Sequence, residues 1–379
     1  MSRAPAMALE DRPVPDQVEG AAHPRETLAL IGHGKAEAAF LDAFNTGRLH
    51  HGWLITGALG LGKATLAWKI ARFLLATPED DGGMFAPAAP DSLDVAPDHP
   101  VSRRVAALSE PRLFLLRRAW DDDKKKLKTV ITVDEVRKLK SFFSLSAADG
   151  GRRVAIIDSA DEMNPSAANA LLKLLEEPPP QVTLILISHQ PSRLLPTIRS
   201  RCRELRLSPL GAADMATALA ATGEAPDDPT PLAELSGGSV GEAIRILHLD
   251  GLSLYAGIIA LFETLPRLDR GRAMALSEIG AGRGNEARFD LVLMLIDLFL
   301  ARLARAGSLG YAPPEAAQGE AALIARLSPN PQAARHWADL AQGLAVRARR
   351  GRAVNLDPAA LLMDMVLRID KMAGQLAPR

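Results

Sequence analysis

A glycine-rich run that ends in a lysine is the first set of residues whose spacing suggests chemistry. It reads Gly57-Ala-Leu-Gly-Leu-Gly-Lys, and it lies between an apolar segment and a helical pattern. Gly57 and Gly62 let the backbone curl so that its N–H groups face an anion, and Gly60 lies between them. Lys63 is placed to reach the β- and γ-phosphates of a nucleotide. The run therefore predicts a phosphate-binding loop.

The residue after the lysine argues against magnesium-dependent hydrolysis. That position needs a Ser or Thr hydroxyl as a Mg²⁺ ligand, and here it is Ala64. Thr65 follows one place later, but on a helix one residue is a rotation of about 100°. Two interpretations remain open. Either the loop holds ATP or ADP without hydrolysing it, or it is a turn that only packs a helix on a strand.

Two motifs further along the chain carry a family resemblance. Residues 169–179 read Asn-Ala-Leu-Leu-Lys-Leu-Leu-Glu-Glu-Pro-Pro, and residues 200–202 read Ser-Arg-Cys. Together with the phosphate-like loop, these segments resemble the clamp-loader branch of the AAA+ proteins. The resemblance extends through motifs over roughly 28–249, and beyond that only through helical content and length. It implies a P-loop α/β core followed by helical domains.

The resemblance also implies where the hydrolytic residues should be, and several are replaced. AAA+ ATPases place Asp-Glu at the end of a central strand, where the aspartate binds magnesium and the glutamate orients water. Here Asp158 is present, but Ser159 occupies the glutamate position. Ser188 stands where a polar residue senses nucleotide, and Gly241 replaces the arginine of the lid. We therefore expect no meaningful ATPase activity from this chain alone.

The Ser-Arg-Cys triplet, in contrast, is complete. In clamp loaders this arginine points across the subunit boundary at the γ-phosphate held by the neighbour. A guanidinium supplied in this way neutralises charge in the transition state and contributes on the order of 10³–10⁵ in rate. The resemblance therefore implies that Arg201 is a catalytic residue acting in trans.

A complete arginine finger beside an incomplete hydrolytic site implies a non-catalytic assembly subunit, with no polymerase activity of its own. Its expected partners are the gamma/tau and delta subunits of a bacterial clamp loader, in a heteropentamer. The sliding clamp and primer-template DNA are reached through that complex. The alternative is an ATP-hydrolysing motor subunit, either gamma/tau-like or a helicase-type AAA+ protein.

Hydrophobic periodicity predicts an α/β fold with a parallel sheet. Short apolar runs alternate with amphipathic helical patterns, as in sheets that are covered by helices on both faces. The predicted strands are Trp53–Thr56, Thr129–Val133, Val154–Ile157 and Val182–Ile187, and the helices between them are Ala36–Thr46, Ala64–Ala76, Asp134–Leu145 and Ser166–Glu177. Asn164 and Pro165 are suited to begin the last of these helices.

The chain divides into four predicted regions. They are a disordered tail at 1–26, the AAA+ α/β domain at 27–207, a helical lid at 208–250 and a helical collar for oligomerisation at 251–379. Within the α/β domain, the Pro-rich stretch 78–100 is expected to be a flexible loop. The charge run 121–126 is expected to be a solvated hairpin tip.

Composition excludes several classes of protein. Lys plus Arg equal Asp plus Glu at 45 each, so no overall positive field indicates autonomous nucleic-acid binding. The single cysteine, Cys202, excludes an internal disulfide and the four-cysteine zinc module of many clamp-loader relatives, and it fits a reducing cytosol. No signal peptide is evident, and the most apolar later run, 291–296, is too short to span a bilayer.

Overall fold

The computed structural model describes residues 15, 17, 21–78, 88–144, 151–224, 226–279 and 284–377. The chain forms two compact units. The first comprises Met1–Leu210 with Ala220–Thr222, and the second comprises Gly211–Leu219 with Gly223–Arg379. The predicted tail 1–26 and loop 78–100 fall partly outside the described residues. The separation of a lid, 208–250, from a collar, 251–379, stays a prediction.

The first unit is built on a five-stranded parallel sheet in the order β2-β5-β6-β1-β7. Non-consecutive neighbours require crossover connections, which helices supply. The strands are β1 Gly52–Thr56, β2 Leu113–Arg117, β5 Arg153–Asp158, β6 Val182–Ser188 and β7 Arg203–Arg206. Every residue of β1 and β6 is buried, as expected for central strands covered on both faces.

Helices cover the sheet on both faces and enclose two apolar cores. The helices of this unit are α1 Gly34–Asn45, α2 Lys63–Ala76, α3 Pro100–Ala106, α4 Val133–Ser144, α5 Pro165–Glu176 and α6 Pro196–Arg199. One core contains residues of α1, α2 and α3, and the other contains residues of α4, α5 and α6. Alternate residues of the central strands enter opposite cores; Trp53 lies in the first and Leu54 in the second. The predicted doubly covered α/β core is therefore confirmed.

Local sequence signals fix the ends of α5. Asn164 accepts a hydrogen bond from the Ala167 backbone N–H at 2.8 Å, and Pro165 occupies the first turn. The three prolines from Pro178 cannot continue a helix, which ends at Glu176. The predicted start and end signals of this helix are confirmed. Its last residue, Glu176, contacts Arg201.

The strand predicted at Thr129–Val133 is wrong. Ile131 forms only an isolated bridge with Met163, and Val133 already begins α4. The reason is a helix-starting contact, because the Glu135 carboxylate accepts a hydrogen bond from the Thr132 backbone N–H at 2.9 Å and another from its hydroxyl. The two outer strands of the sheet, β2 and β7, were not predicted.

The charge run at 121–126 forms a hairpin, as predicted. The strands β3 Trp120–Asp121 and β4 Lys126–Leu127 pair antiparallel. At the turn, the Asp121 carboxylate accepts hydrogen bonds from the backbone N–H groups of Asp123 and Lys124. Lys124 to Lys126 are exposed, which is typical of a solvated tip.

The second unit is helical throughout its described residues. Its helices are α7 Ala212–Ala220, α8 Thr230–Leu235, α9 Val240–His248, α10 Gly251–Phe262, α11 Arg270–Glu278, α12 Glu286–Leu309, α13 Glu320–Leu327, α14 Pro331–Ala353 and α15 Pro358–Leu376. In the part of the chain that the structure describes, no single helix meets the length and hydropathy criteria for crossing a membrane. Only α9 and α10 counted together meet them, and they are bent by 78°.

A buried charged network ties four helices of the second unit together. Arg302 on α12 donates to the Glu320 carboxylate at 2.6 Å and to the Glu234 carboxylate at 2.9 Å. Tyr255 on α10 donates to the same Glu320 carboxylate at 2.6 Å. Since Glu320 is fully buried, its charge depends on these donors for solvation.

Candidate phosphate site and arginine site

The carboxyl ends of the three central strands bring most of the predicted site residues together. β1 lies beside β6 in register, so that Thr56 pairs with Ser188. β6 in turn lies beside β5, which ends at Asp158. The glycine-rich loop joins the end of β1 to the start of α2. In open parallel sheets this edge is where ligands bind.

Two glycines of the loop occupy conformations and spaces that other residues would not tolerate. Gly57 has φ 148°, and a Cβ built on it would lie 2.9 Å from the Leu207 carbonyl oxygen. Gly62 has φ 87°, and its Cβ would lie 2.9 Å from Leu30 Cδ1. Gly60 also has positive φ. The predicted curl of the backbone is therefore present, and the positive φ values of its three glycines disfavour other residues there.

Lys63 is buried and turns back onto its own loop. Its Nζ donates to the Gly57 carbonyl at 2.9 Å and to the Ala58 carbonyl. Burial lowers the pKa of Lys63 to about 8, although the carboxylates of Asp158 and Asp161 favour the charged form. The ammonium is thus held against its own loop at a desolvation cost.

The first turn of α2 contains the position where a magnesium-binding hydroxyl would be expected. α2 begins at Lys63, so Ala64 and Thr65 are its next two residues, and both are half-buried. A methyl group at Ala64 offers no oxygen to a cation. The carboxylates of Asp158 and Asp161 remain near Lys63. Lys63 and the glycine-rich turn provide groups for a phosphate, whereas position 64 provides no hydroxyl ligand for Mg²⁺.

A neutral hydrogen-bonded pair occupies the place of the missing glutamate. The Ser159 Oγ lies 3.0 Å from Asp158 Oδ1 and 2.8 Å from His189 Nε2. Burial and then the charge of Lys63 lower the pKa of His189 to about 4, against the effect of Asp161. Asp161 accepts a hydrogen bond from the backbone N–H of His189, and among the described residues the imidazole Nδ1 has no hydrogen-bond partner. Within those residues, no carboxylate therefore orients the ring as in a catalytic triad.

Ser188 is fully buried at the end of β6, beside Thr56. Among the residues that the structure describes, its Oγ has no hydrogen-bond partner. A buried hydroxyl without a partner is uncommon, and it indicates a place where a bound polar group would be stabilised. This observation supports Ser188 as a candidate ligand-sensing residue.

Arg201 lies at the opposite end of the sheet from the phosphate-like loop. Its carbonyl is close to Gly52 at the start of β1, whereas the loop follows Thr56 at the end of the strand. Five residues of strand separate the two by roughly 15 Å. The structure therefore does not bring Arg201 together with the other candidates, and within the same unit the two features are separate.

The Arg201 guanidinium is held on its own surface by two contacts. One Nη atom donates to the Thr197 carbonyl at 3.1 Å, and the other lies 3.0 Å from the Glu176 carboxylate. The Arg201 side chain is 37% exposed and that of Glu176 is 48% exposed. Sequence reasoning singled out both motifs but not this ion pair, because a separation of 25 residues carries no pairing signal.

The neighbouring cysteine and the lid glycine take no part in either arrangement. Burial raises the pKa of Cys202 to about 12, so it is an unreactive thiol. Gly241 lies on α9 in the second unit, where Ser239 caps the helix by accepting from the Glu242 backbone N–H at 3.1 Å. No cluster of three or more potential metal ligands occurs within the described ranges.

Known proteins match the unit that carries these sites. The family described as "DNA polymerase III, delta subunit" matches residues 32–211. A DNA polymerase III subunit delta' from Pseudomonas aeruginosa is 38% identical over 53% of this chain and 57% of its own length. The subunit delta' of Bacillus subtilis is 30% identical over 58% of this chain and 60% of its own. A DNA polymerase III subunit gamma from Buchnera aphidicola is 26% identical over 51% of this chain and 47% of its own.

The strand order, the glycine-rich loop and the matched segment together resemble those of the clamp-loader proteins of the AAA+ family. Within that family, the chain is similar to the delta' subunits of DNA polymerase III, to which it is 30–38% identical over about half of its length. The matches span a little more than half the length of those relatives.

Proposed function

We propose that this chain is a non-catalytic, delta'-like subunit of a bacterial clamp loader that supplies Arg201 to a nucleotide site on a neighbouring subunit. The single observation that carries the proposal is a separation. The complete Ser-Arg-Cys motif lies at one end of the sheet, and a phosphate-like loop without a magnesium hydroxyl or a catalytic glutamate lies at the other.

The position of Arg201 suits action on another chain. It is partly exposed, and it is too far from Lys63 to contact phosphates held by its own loop. An arginine presents two parallel N–H groups to phosphate oxygens, which a lysine cannot do. The gamma/tau and delta subunits are the partners that we propose, with the sliding clamp and primed DNA acting through the assembled complex.

The phosphate-like loop has a different role in this proposal. Lys63 and the backbone N–H groups between Gly57 and Gly62 would hold the phosphates of ATP or ADP. Ser188 would supply a hydroxyl at the same edge of the sheet. Ser159 is too short and too weak a base to activate water, so a bound nucleotide would not be hydrolysed.

The test is a reconstituted complex with otherwise wild-type partner subunits. Arg201→Ala is expected to leave assembly intact while clamp- and DNA-stimulated ATPase falls, because one site of the ring loses its finger. Arg201→Lys should restore little of the activity. Arg203→Ala is the matched control, since Arg203 is also an exposed arginine of this region and directly follows the motif. Unchanged ATPase in Arg201→Ala would refute the trans role.

A motor subunit is the second candidate, and one comparison favours it. Gamma subunits also match this chain, at lower identity than the delta' subunits. A motor would turn over ATP without partners, at a rate of order 1 s⁻¹ or faster. Such turnover in the purified chain, abolished by Lys63→Ala, would favour the motor and exclude the assembly-subunit proposal.

A further inference from the structure

Glu176 is the carboxylate closest to the proposed finger, and its position is set by a helix. It is the last residue of α5, which the capping at Asn164 and the following prolines define. Its Oε1 lies 3.0 Å from an Nη atom of Arg201. The other Nη atom donates to the Thr197 carbonyl on α6 at 3.1 Å. Both ends of the guanidinium fork are therefore occupied by groups of the same subunit.

These two contacts have opposite consequences for a phosphate ligand. The Thr197 carbonyl is a neutral acceptor, and each Nη atom still has a second N–H to donate. The Glu176 carboxylate carries a negative charge that lowers the positive potential at the guanidinium and repels an approaching phosphate. Both side chains are more than one third exposed, so the ion pair is weak and a phosphate can replace the carboxylate at low cost.

We infer that Glu176 is a resting-state latch, which holds Arg201 on its own subunit and competes with the neighbour's nucleotide for the guanidinium. The inference rests on the proposed function of Arg201. The phosphate of a bound nucleoside triphosphate carries more charge than one carboxylate, and it displaces Glu176 when the subunits assemble around it. Glu176 thereby restrains the finger until a triphosphate is present.

The experiment compares Glu176→Gln with wild type in the reconstituted complex. Glutamine keeps the size of the side chain and removes its charge. The expected result is a lower KM for ATP in the stimulated ATPase, by up to about fivefold, which is the limit that an exposed ion pair sets. The maximal rate should be unchanged. Glu177→Gln is the matched control, because Glu177 is also exposed and, within the described residues, forms no ion pair.

The same substitution in an Arg201→Ala background separates the two proposals. If Glu176 acts only through Arg201, then Glu176→Gln has no effect when the arginine is absent. A lower maximal rate or a higher KM in Glu176→Gln alone would show that the carboxylate positions the finger, and would overturn the latch. An unaltered KM in that variant, while Arg201→Ala is impaired, overturns the latch and leaves the proposed function standing. No effect of Arg201→Ala refutes the proposed function itself.

Discussion

Replacing Lys63 by methionine should make this protein more stable at neutral pH and less stable at alkaline pH. The pKa of the buried ammonium falls from 10.5 to about 8 on folding. Each pKa unit corresponds to 1.36 kcal/mol, so the shift lowers the free energy of unfolding by about 3 kcal/mol. The full loss applies below pH 8, where Lys63 is charged in both the folded and the unfolded protein. Methionine has a similar length and no charge, so Lys63→Met removes that cost.

The substitution also leaves two backbone carbonyls, those of Gly57 and Ala58, without their donor. Each lost hydrogen bond costs about 1 kcal/mol, so the expected net gain at pH 7 is on the order of 1 kcal/mol. Between pH 8 and 10.5 the unfolded wild-type chain binds more protons than the folded one, and its stability therefore rises with pH. The two proteins should be equally stable near pH 9.

Denaturant unfolding at pH 7, 8.5 and 9.5 measures this difference. Tryptophan fluorescence is a suitable probe, because Trp53, Trp68 and Trp120 all lie in the first unit. Lys69→Met is the control, since Lys69 is a buried lysine of the same helix that contacts the carboxylates of Glu37 and Asp94.

Although burial opposes it, hydrogen bonds to Asp94 and Glu37 hold the pKa of Lys69 above its ordinary value. Its loss should therefore destabilise the protein by about 2 kcal/mol, without reversal up to pH 9.5. If Lys63→Met is instead less stable than wild type by a constant amount at all three pH values, the lysine is a structural residue. The argument that its charge is held against desolvation would then fail.

Three further outcomes can be checked by simple measurements. Arg302→Met should cost about 3–5 kcal/mol in denaturant unfolding because it leaves the buried Glu320 carboxylate without its charged partner, whereas the exposed Arg305→Met should change stability by about 0.5 kcal/mol at most. Gly57→Ala should cost about 1–3 kcal/mol, since its φ of 148° disfavours any side chain, whereas Gly211→Ala has open space and should be nearly neutral. Alkylation of Cys202 at pH 8 should be slower than that of a free thiol by a factor on the order of 10³, and equal rates would contradict its burial.

The central part of the fold could be predicted from the sequence because its strands are continuous apolar runs. The outer strands carry weaker signals. Arg203–Arg206 has three exposed residues and one buried residue, so its composition indicates surface and only its pairing with β1 makes it a strand. Thr129–Val133 shows the opposite error, since its β-branched residues indicate a strand. Thr132 is followed three residues later by Glu135, which is the spacing of a capping box. This spacing indicates that a helix begins here.

Some features of the candidate sites could likewise be predicted from local sequence, whereas others depend on tertiary packing. The loop glycines and Lys63 follow one another in the chain, and their roles in the turn were predictable from spacing. The hydrogen bond between Ser159 and His189 depends on β5 lying beside β6, which no local pattern specifies. The ion pair between Glu176 and Arg201 likewise joins the end of α5 to the turn after α6, which only tertiary packing brings together.

The candidate residues at the two ends of the sheet affect the stability of the fold differently. At the carboxyl end, burial of the Lys63 ammonium destabilises the fold. A bound phosphate would offset this cost, and so would the packing of the turn between β1 and α2. At the other end, Arg201 is an exposed side chain whose loss opens no cavity, so stability does not explain a complete motif there. Its small contribution to its own fold and its distance of about 15 Å from its own loop are the grounds for the proposed action on a partner. The Lys63→Met and Arg201→Ala variants test these two ends independently.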